Sequence, residues 1–542
     1  MSDAVVNLKL GKIQGVKLQS AFSGAEYCAF YGVPYAQPPV GDLRFKDPVK
    51  IKPWKSIKDA TSPKGGCAQV SIFTFRYQGS EDCLYVNVYT PRIPKKGDPL
   101  MPVIACIPLG GLQSGSPDPD HQGSPDFFMH HDIVYVGISH RLHILGFMNL
   151  HMNECPGNMG LKDMIMAFEW IQENIKAFGG DPDNVTALGS SSGATMIHAF
   201  LLAPAVKPLF HKAILMGDYI FNNVLKVDED NSEYAFEFAR GLGFNGDNPK
   251  HLLSFLKTVP VNVLVTQLKM YQSMLEKQKD YCKIFPSAKF LPTIDADAQW
   301  SLVPCNARKF IPQTKKIPIM YGQCQKEAIL GFTKILGVTT EDHFKLSSRQ
   351  NCWGWMNDLD DESLNIINDK VEAFYYKDYG KVRPLSAQID VISDTAFSEV
   401  YETVVDLIAD ECPVYVYKFE YEGELGAVYN LATKYMNETV KGTYHADDFS
   451  YWTKMDPEPK VSDRSREMIK IFTKLIVNFA TTGNPNDNTM KVEWKTHKRE
   501  NPCYLSINET LQMIEGRLNN ERAIFWDEIK REFKKPDNFD AE

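Results

Sequence analysis

Five residues, Gly189-Ser190-Ser191-Ser192-Gly193, constrain this chain more than any others. The pattern G-x-S-x-G puts one serine on a tight turn, and its flanks say which kind of turn. Val185-Thr186-Ala187-Leu188 reads as a short buried strand, and Ala194 to Leu202 (ATMIHAFLL) reads as a helix. A serine between such a strand and such a helix has its hydroxyl pushed up at the top of a sheet, where a nucleophile is exposed to a substrate. The two glycines suit a turn that tolerates little side-chain bulk. Gly/Ser-rich turns are common, so the pattern alone leaves Ser191 a candidate.

The remaining chain is long enough to support that turn. Its 542 residues, 44% hydrophobic, can bury a large core as a single domain over residues 1–542. A net charge of −9 argues against a nucleic-acid surface. The basic run Arg92-Ile93-Pro94-Lys95-Lys96-Gly97 sits among Pro and Gly and reads as a solvated turn. No apolar stretch reaches roughly 18 residues, so no membrane span is expected. The start, MSDAVVNLKLGKIQG, lacks the apolar core of a secretory signal. Eleven scattered cysteines suit the reduced thiols of a cytoplasmic protein better than a disulfide framework. Sequons at Asn184, Asn437 and Asn508 keep open a secreted form whose signal has been removed.

Short apolar runs alternate with helical patterns along the chain. Residues 4–19 alternate around Gly11 and Gly15 and predict a hairpin. Strands are predicted over 102–107, 133–138, 213–216, 317–321 and 414–421, and helices over 160–177 and 468–480. Mainly helical segments, about 225–310 and 339–411, are expected to flank this core. Apolar strands separated by helices mean a mostly parallel sheet covered on both faces, an α/β fold.

A serine hydroxyl needs a base, and the base needs an orienting acid. His445, in Gly442-Thr443-Tyr444-His445-Ala446-Asp447-Asp448, follows the 414–421 strand in a polar loop, where a catalytic imidazole fits. Glu327 follows the 317–321 strand and is well placed as the acid, although spacing leaves it one choice among several. His198 on the helix after Ser191 reads as a packed core histidine, and His130, His131 and His497 as exposed side chains. The cysteines show no zinc spacing, and no metal or cofactor is called for.

Several longer stretches resemble the type-B carboxylesterases of the cholinesterase-like α/β-hydrolases, intracellular insect members in particular. They are GVPYAQPPVGDLRF (32–45), SEDCLYVNVYTP (80–91), PGNMGLKD (156–163), NIKAFGGDPDNVTALG (174–189), GTYHADD (442–448) and FATTGNP (479–485). The resemblance implies an α/β-hydrolase fold and a triad of Ser191 as nucleophile, Glu327 as acid and His445 as base. It places oxyanion donors on the backbone amides of Gly110, Gly111 and Ser192. It also implies structural ion pairs Arg44–Glu81 and Arg141–Asp163. Cys67 and Cys83 fall near a disulfide of secreted relatives; without a signal, both are expected reduced.

The departures from the family cluster near these residues. The usual His-Gly-Gly-Gly reads Pro108-Leu109-Gly110-Gly111, so Leu109 brings a Cβ that would be strained if its φ is positive. Ser190 stands where the family has Glu, Ser192 where it usually has Ala, and Ala328 where Gly follows the acid. The family's Met-Ser-Gly-Ser reads Met216-Gly217-Asp218-Tyr219. Losing a carboxylate at 190 is expected to lower the histidine's pKa. His143, in Arg141-Leu142-His143, is an intrusion that an exposed loop position would explain. Two functions are open on this reading. One is hydrolysis of small hydrophobic esters of xenobiotic, lipid, hormone or pheromone type, by a monomer or homodimer. The other is ligand sequestration with little turnover.

Overall fold

The computed structural model describes residues 4–533 apart from 73, 204, 207, 219–229, 278–288, 306–308, 311–312, 329–355, 357–358, 381–383, 399–404, 427, 431–439 and 456–459. Parts of both expected helical segments, together with Tyr219 and Asn437, therefore lie outside the described residues.

Among the described residues, a 13-stranded sheet organises the chain. Its strands are β1 (Ala4–Leu8), β2 (Gly11–Gln19), β3 (Glu26–Pro34), β4 (Lys58–Asp59), β5 (Tyr85–Thr90), β6 (Met101–Ile107), β7 (Val134–Ile138), β8 (Gly180–Ser190), β9 (Lys212–Met216), β10 (Ile319–Cys324), β11 (Val414–Phe419), β12 (Cys503–Ile507) and β13 (Leu511–Glu515). Their spatial order is β1-β2-β3-β5-β7-β6-β8-β9-β10-β11-β12-β13, with β4 beside β2. Every pairing from β7 to β12 is parallel. The predicted 4–19 hairpin is β1 and β2, with Leu8 opposite Gly11.

The central strands are parallel because both of their faces are apolar. All residues of β7 (VYVGI), β9 (KAILM) and β10 (IMYGQC) are buried, as expected for a sheet covered on both sides. Successive residues then enter opposite cores. Val103, Ala105, Val185 and Ala187 join the core beneath helices α1 (Met159–Asn174) and α2 (Ser192–Leu202). Ile104, Cys106 and Leu188 join the other, with Phe472, Ile476 and Phe479 of α3 (Asp463–Thr482). Ser462 caps the N-terminus of α3 and Gly483, at φ 78°, ends it. At the C-terminus of α2, the Lys315 ammonium donates to the carbonyls of Phe200 and Ala203 at 2.7 Å each.

Among the described residues, the helices Ser232–Gly241, Pro249–Thr258 and Val261–Lys277 lie between β9 and β10 in the chain. Asp361–Tyr375 and Leu385–Ser393 lie between β10 and β11. The C-terminal ends of β6, β8, β9, β10 and β11 thus carry the turns that matter below.

Candidate active site

Ser191 sits between β8 and α2 at φ 52° and ψ −129°, a strained conformation for a residue with a Cβ. The backbone around it enforces that conformation. The Ser191 N–H donates to Met216 O at 2.8 Å, and the Ser191 carbonyl accepts from Ala194 N at 2.8 Å. Both motif glycines are required by close approach. A Cβ on Gly189 would lie 2.4 Å from Gly193 C, and one on Gly193 would lie 2.3 Å from Ile107 O. The strand, the helix and the end of β6 therefore close on one another with no room for a methyl group.

The structure brings His445 and Glu327 to this turn across more than a hundred residues of sequence. His445 Nε2 is 2.8 Å from Ser191 Oγ, and His445 Nδ1 is 2.5 Å from Glu327 Oε2. Glu327 Oε1 accepts from Cys324 N at 2.6 Å, which leaves its second oxygen for the imidazole. The loops bearing acid and base are stitched together by Lys326 N to Thr443 O at 2.9 Å and Gln325 N to Thr443 Oγ1 at 3.1 Å. A neutral ring protonated on Nδ1 donates to Glu327 and leaves Nε2 to accept the serine proton.

The His445 pKa is raised above the ordinary imidazole value. Burial works against the charged ring, but the Glu327 carboxylate and its hydrogen bond, with the charges of Asp218 and Asp448, outweigh it. Asp218 was legible in Met216-Gly217-Asp218: the position that loses a serine precedes one that gains an acid. Gly217 itself has φ 74°, and a Cβ there would lie 3.1 Å from His445 Cε1. Glycine thus lets the ring sit close to β9. Burial also pushes the Asp448 carboxyl up to about 6 and Asp447 to about 7. Ser190 is 1% exposed, and its hydroxyl has no hydrogen-bond partner among the described residues.

Gly110 and Gly111 follow β6 at φ 136° and 64°. Among the described residues no protein acceptor takes the N–H of Gly110, Gly111 or Ser192. The strain that a positive φ would bring to Leu109 does not arise, since its φ is not positive. The left-handed residue is Leu112, at φ 59°. Its N–H donates to Ser192 Oγ at 3.3 Å, a contact between loop and helix that the linear sequence does not reveal.

Other expectations resolve in place. His143 is not exposed: it is 2% accessible, its Nε2 is 2.8 Å from Ala68 O, and burial lowers its pKa to about 4. His497 is also buried, with Nε2 3.0 Å from Asp406, because the loop carrying it packs against β11. His131 is half-buried and His130 exposed. His198 is packed in the core, and burial lowers its pKa to about 3. Cys67 and Cys83, expected reduced, are joined as a disulfide; folding brings their Cα atoms to 4.9 Å. Arg44 grips Glu81 through Nε and Nη2 at 2.6 Å each, and Arg141 grips Asp163 at 2.8 and 2.6 Å. Among the described residues no His, Cys, Asp or Glu cluster could hold a metal ion, and no helix is long and apolar enough to cross a membrane.

A sequence model of the carboxylesterase family matches residues 2–526. The chain belongs to the carboxylesterase family. Membership makes it a carboxylesterase-class enzyme, an ester hydrolase. Esterase FE4 of Myzus persicae is 30% identical, covering 96% of this chain and 92% of its own length. Juvenile hormone esterase of Tribolium castaneum is 30% identical, covering 92% and 87%. The crystal structure of juvenile hormone esterase from Manduca sexta superposes with a TM-score of 0.83 at 24% identity, over 98% of this chain and all of the other, which establishes the α/β-hydrolase fold.

Proposed function

We propose that this carboxylesterase hydrolyses small hydrophobic esters through an acyl-enzyme on Ser191, with His445 as base and Glu327 as orienting acid. The observation that carries the reading is the continuous hydrogen-bonded line Ser191 Oγ, His445 Nε2, His445 Nδ1, Glu327 Oε2, with spacings of 2.8 and 2.5 Å. Ser191 attacks the ester carbonyl as His445 takes its proton, and Glu327 stabilises the imidazolium. The carbonyl oxygen, now an anion, rests on the amides of Gly110, Gly111 and Ser192. His445 returns its proton to the leaving alcohol. It then activates the water that releases the acid and frees Ser191.

The hydrophobic substrate class, covering xenobiotic, lipid, hormone or pheromone esters, is supported by apolar neighbours. Leu109 and Leu112 flank the glycine pair, and the Phe397 ring lies 5.3 Å from the His445 ring. Hydrolysis of an ester panel of graded acyl length tests the proposal. Wild type is expected to turn over the hydrophobic members, and Ser191→Ala to lose roughly 10⁴–10⁶-fold in kcat. Wild-type turnover by Ser191→Ala would refute the nucleophile.

A further inference from the structure

We propose that the Ser192 hydroxyl is a positioning group for the oxyanion loop, acting on Leu112 together with the backbone of His143. The proposal rests on reading the Gly110, Gly111 and Ser192 amides as oxyanion donors. Ser192 then serves twice: its N–H faces the developing oxyanion, and its side chain fixes the loop that supplies the other donors.

The argument begins at Gly111. A Cβ placed on it would meet nothing within 4 Å, so no neighbour fills the space on that side of the residue. The next residue supplies the constraint. Leu112 is 1% exposed and held at φ 59°, a conformation disfavoured for residues with a Cβ. Both of its backbone polar groups are taken by other segments. Its N–H donates to Ser192 Oγ at 3.3 Å, and its carbonyl accepts from His143 N at 2.8 Å. The Gly111–Leu112 peptide is therefore tied through its N–H to α2, and the next peptide, Leu112–Gln113, through its carbonyl to the short helix His143–Phe147.

His143 is itself anchored. It has φ 39°, and its Nε2–H donates to the Ala68 carbonyl at 2.8 Å, next to disulfide-bonded Cys67. With its pKa lowered to about 4, the ring stays neutral and this bond persists near neutral pH. Further along the loop, Gln69 Oε1 accepts from Ser114 Oγ at 2.6 Å and from Gly115 N at 2.8 Å. The loop is thus held by a line of contacts from the Cys67–Cys83 region through His143 and Leu112 to the residue after the nucleophile. Oxyanion donors act over a narrow distance range, so a loop that relaxes away from Ser192 weakens transition-state binding and leaves ground-state binding alone.

The test compares wild type, Ser192→Ala and Ser192→Cys on a p-nitrophenyl ester, with Ser191→Ala as reference. Each is also titrated with a trifluoromethyl ketone, which forms a tetrahedral adduct, and with the matching methyl ketone, a ground-state mimic. Loss of one neutral hydrogen bond predicts a fall of about three- to tenfold in kcat for Ser192→Ala, with KM within about twofold. Trifluoromethyl ketone affinity should fall by the same factor as kcat/KM, and methyl ketone affinity should hold. Ser192→Cys, near in size but only a weak acceptor, should fall with Ser192→Ala. Wild-type kcat and ketone affinity in Ser192→Ala overturn the proposal, as does wild-type kcat in Ser192→Cys beside a slowed Ser192→Ala, which would make packing the cause. A turnover-competent Ser191→Ala defeats the underlying mechanism instead; an inactive Ser191→Ala beside a fully active Ser192→Ala defeats the positioning role alone.

Discussion

The Gly189–Gly193 turn is held by main chain. Gly193 packs on Ile107 O, Gly189 packs on Gly193, and Ser191 N bonds Met216 O. The Pro108–Leu112 loop beside it has local main-chain bonds, Gln113 N and Ser114 N to Gly110 O, but is also held from elsewhere. Ser192 grips Leu112 N, His143 N grips Leu112 O, and the side chain of Gln69 holds Ser114 and Gly115. A turn fixed by backbone packing leaves a local signature, because only glycine fits where two chains touch. The loop's distant contacts leave none, because those partners are scattered over residues 69 to 192. The first can change little without losing its shape. The second can accept Pro108 and Leu109 where the family has other residues and still present two glycine amides.

That contrast can be attacked at its strongest point first. Glu327→Gln keeps the size of the acid but removes the charge that fixes the His445 tautomer. It should cut kcat roughly 10³–10⁴-fold with KM little changed, measured on a p-nitrophenyl ester. Within the loop, the two glycines should separate. A Cβ at Gly110 would lie 2.1 Å from Ser114 O, whereas Gly111 has open space and only its φ of 64° to contend with. Gly110→Ala should lose about 10²–10³-fold in kcat, the cost of displacing an oxyanion donor. Gly111→Ala should lose about tenfold, the cost of left-handed strain at one residue. Equal losses would mean that the loop does not depend on contacts at Gly110.

The smallest effect concerns pH. The base must be neutral, so kcat/KM falls as pH drops through the His445 pKa, which is raised above the ordinary 6.5. Asp218→Asn removes one charge that favours the imidazolium. The acid limb should therefore move to lower pH, by less than about one unit. An unmoved limb would leave Glu327 and Asp448 as the charges that set it.

The centre of the sheet was legible because its strands are buried on both faces. The predicted runs at 102–107, 133–138 and 213–216 become β6, β7 and β9 within one residue at each end. The parts of the site with a local pattern were legible too. Ser191 was marked by its glycines, and His445 and Glu327 by loops that follow strands. Choosing Glu327 among several acids needed the family resemblance, since spacing cannot distinguish one loop carboxylate from another. What the sequence hid were contacts of long range. His143 looked like an exposed loop residue because nothing nearby shows that Ala68 O lies 2.8 Å from its ring. A positive φ would have strained Leu109, but the left-handed residue is Leu112, three residues on, where Ser192 and His143 hold the backbone. Loss of a carboxylate at 190 was visible, but Asp218 acts on His445 through space.

The most direct test of the mechanism is to quench wild-type enzyme during turnover of a p-nitrophenyl ester and map the bound acyl group by peptide mass spectrometry. The account predicts a transient adduct, at most one per chain, on the peptide carrying Ser191, absent from Ser191→Ala. Acylation at another residue, or continued ester turnover by Ser191→Ala with no adduct on that peptide, would contradict it.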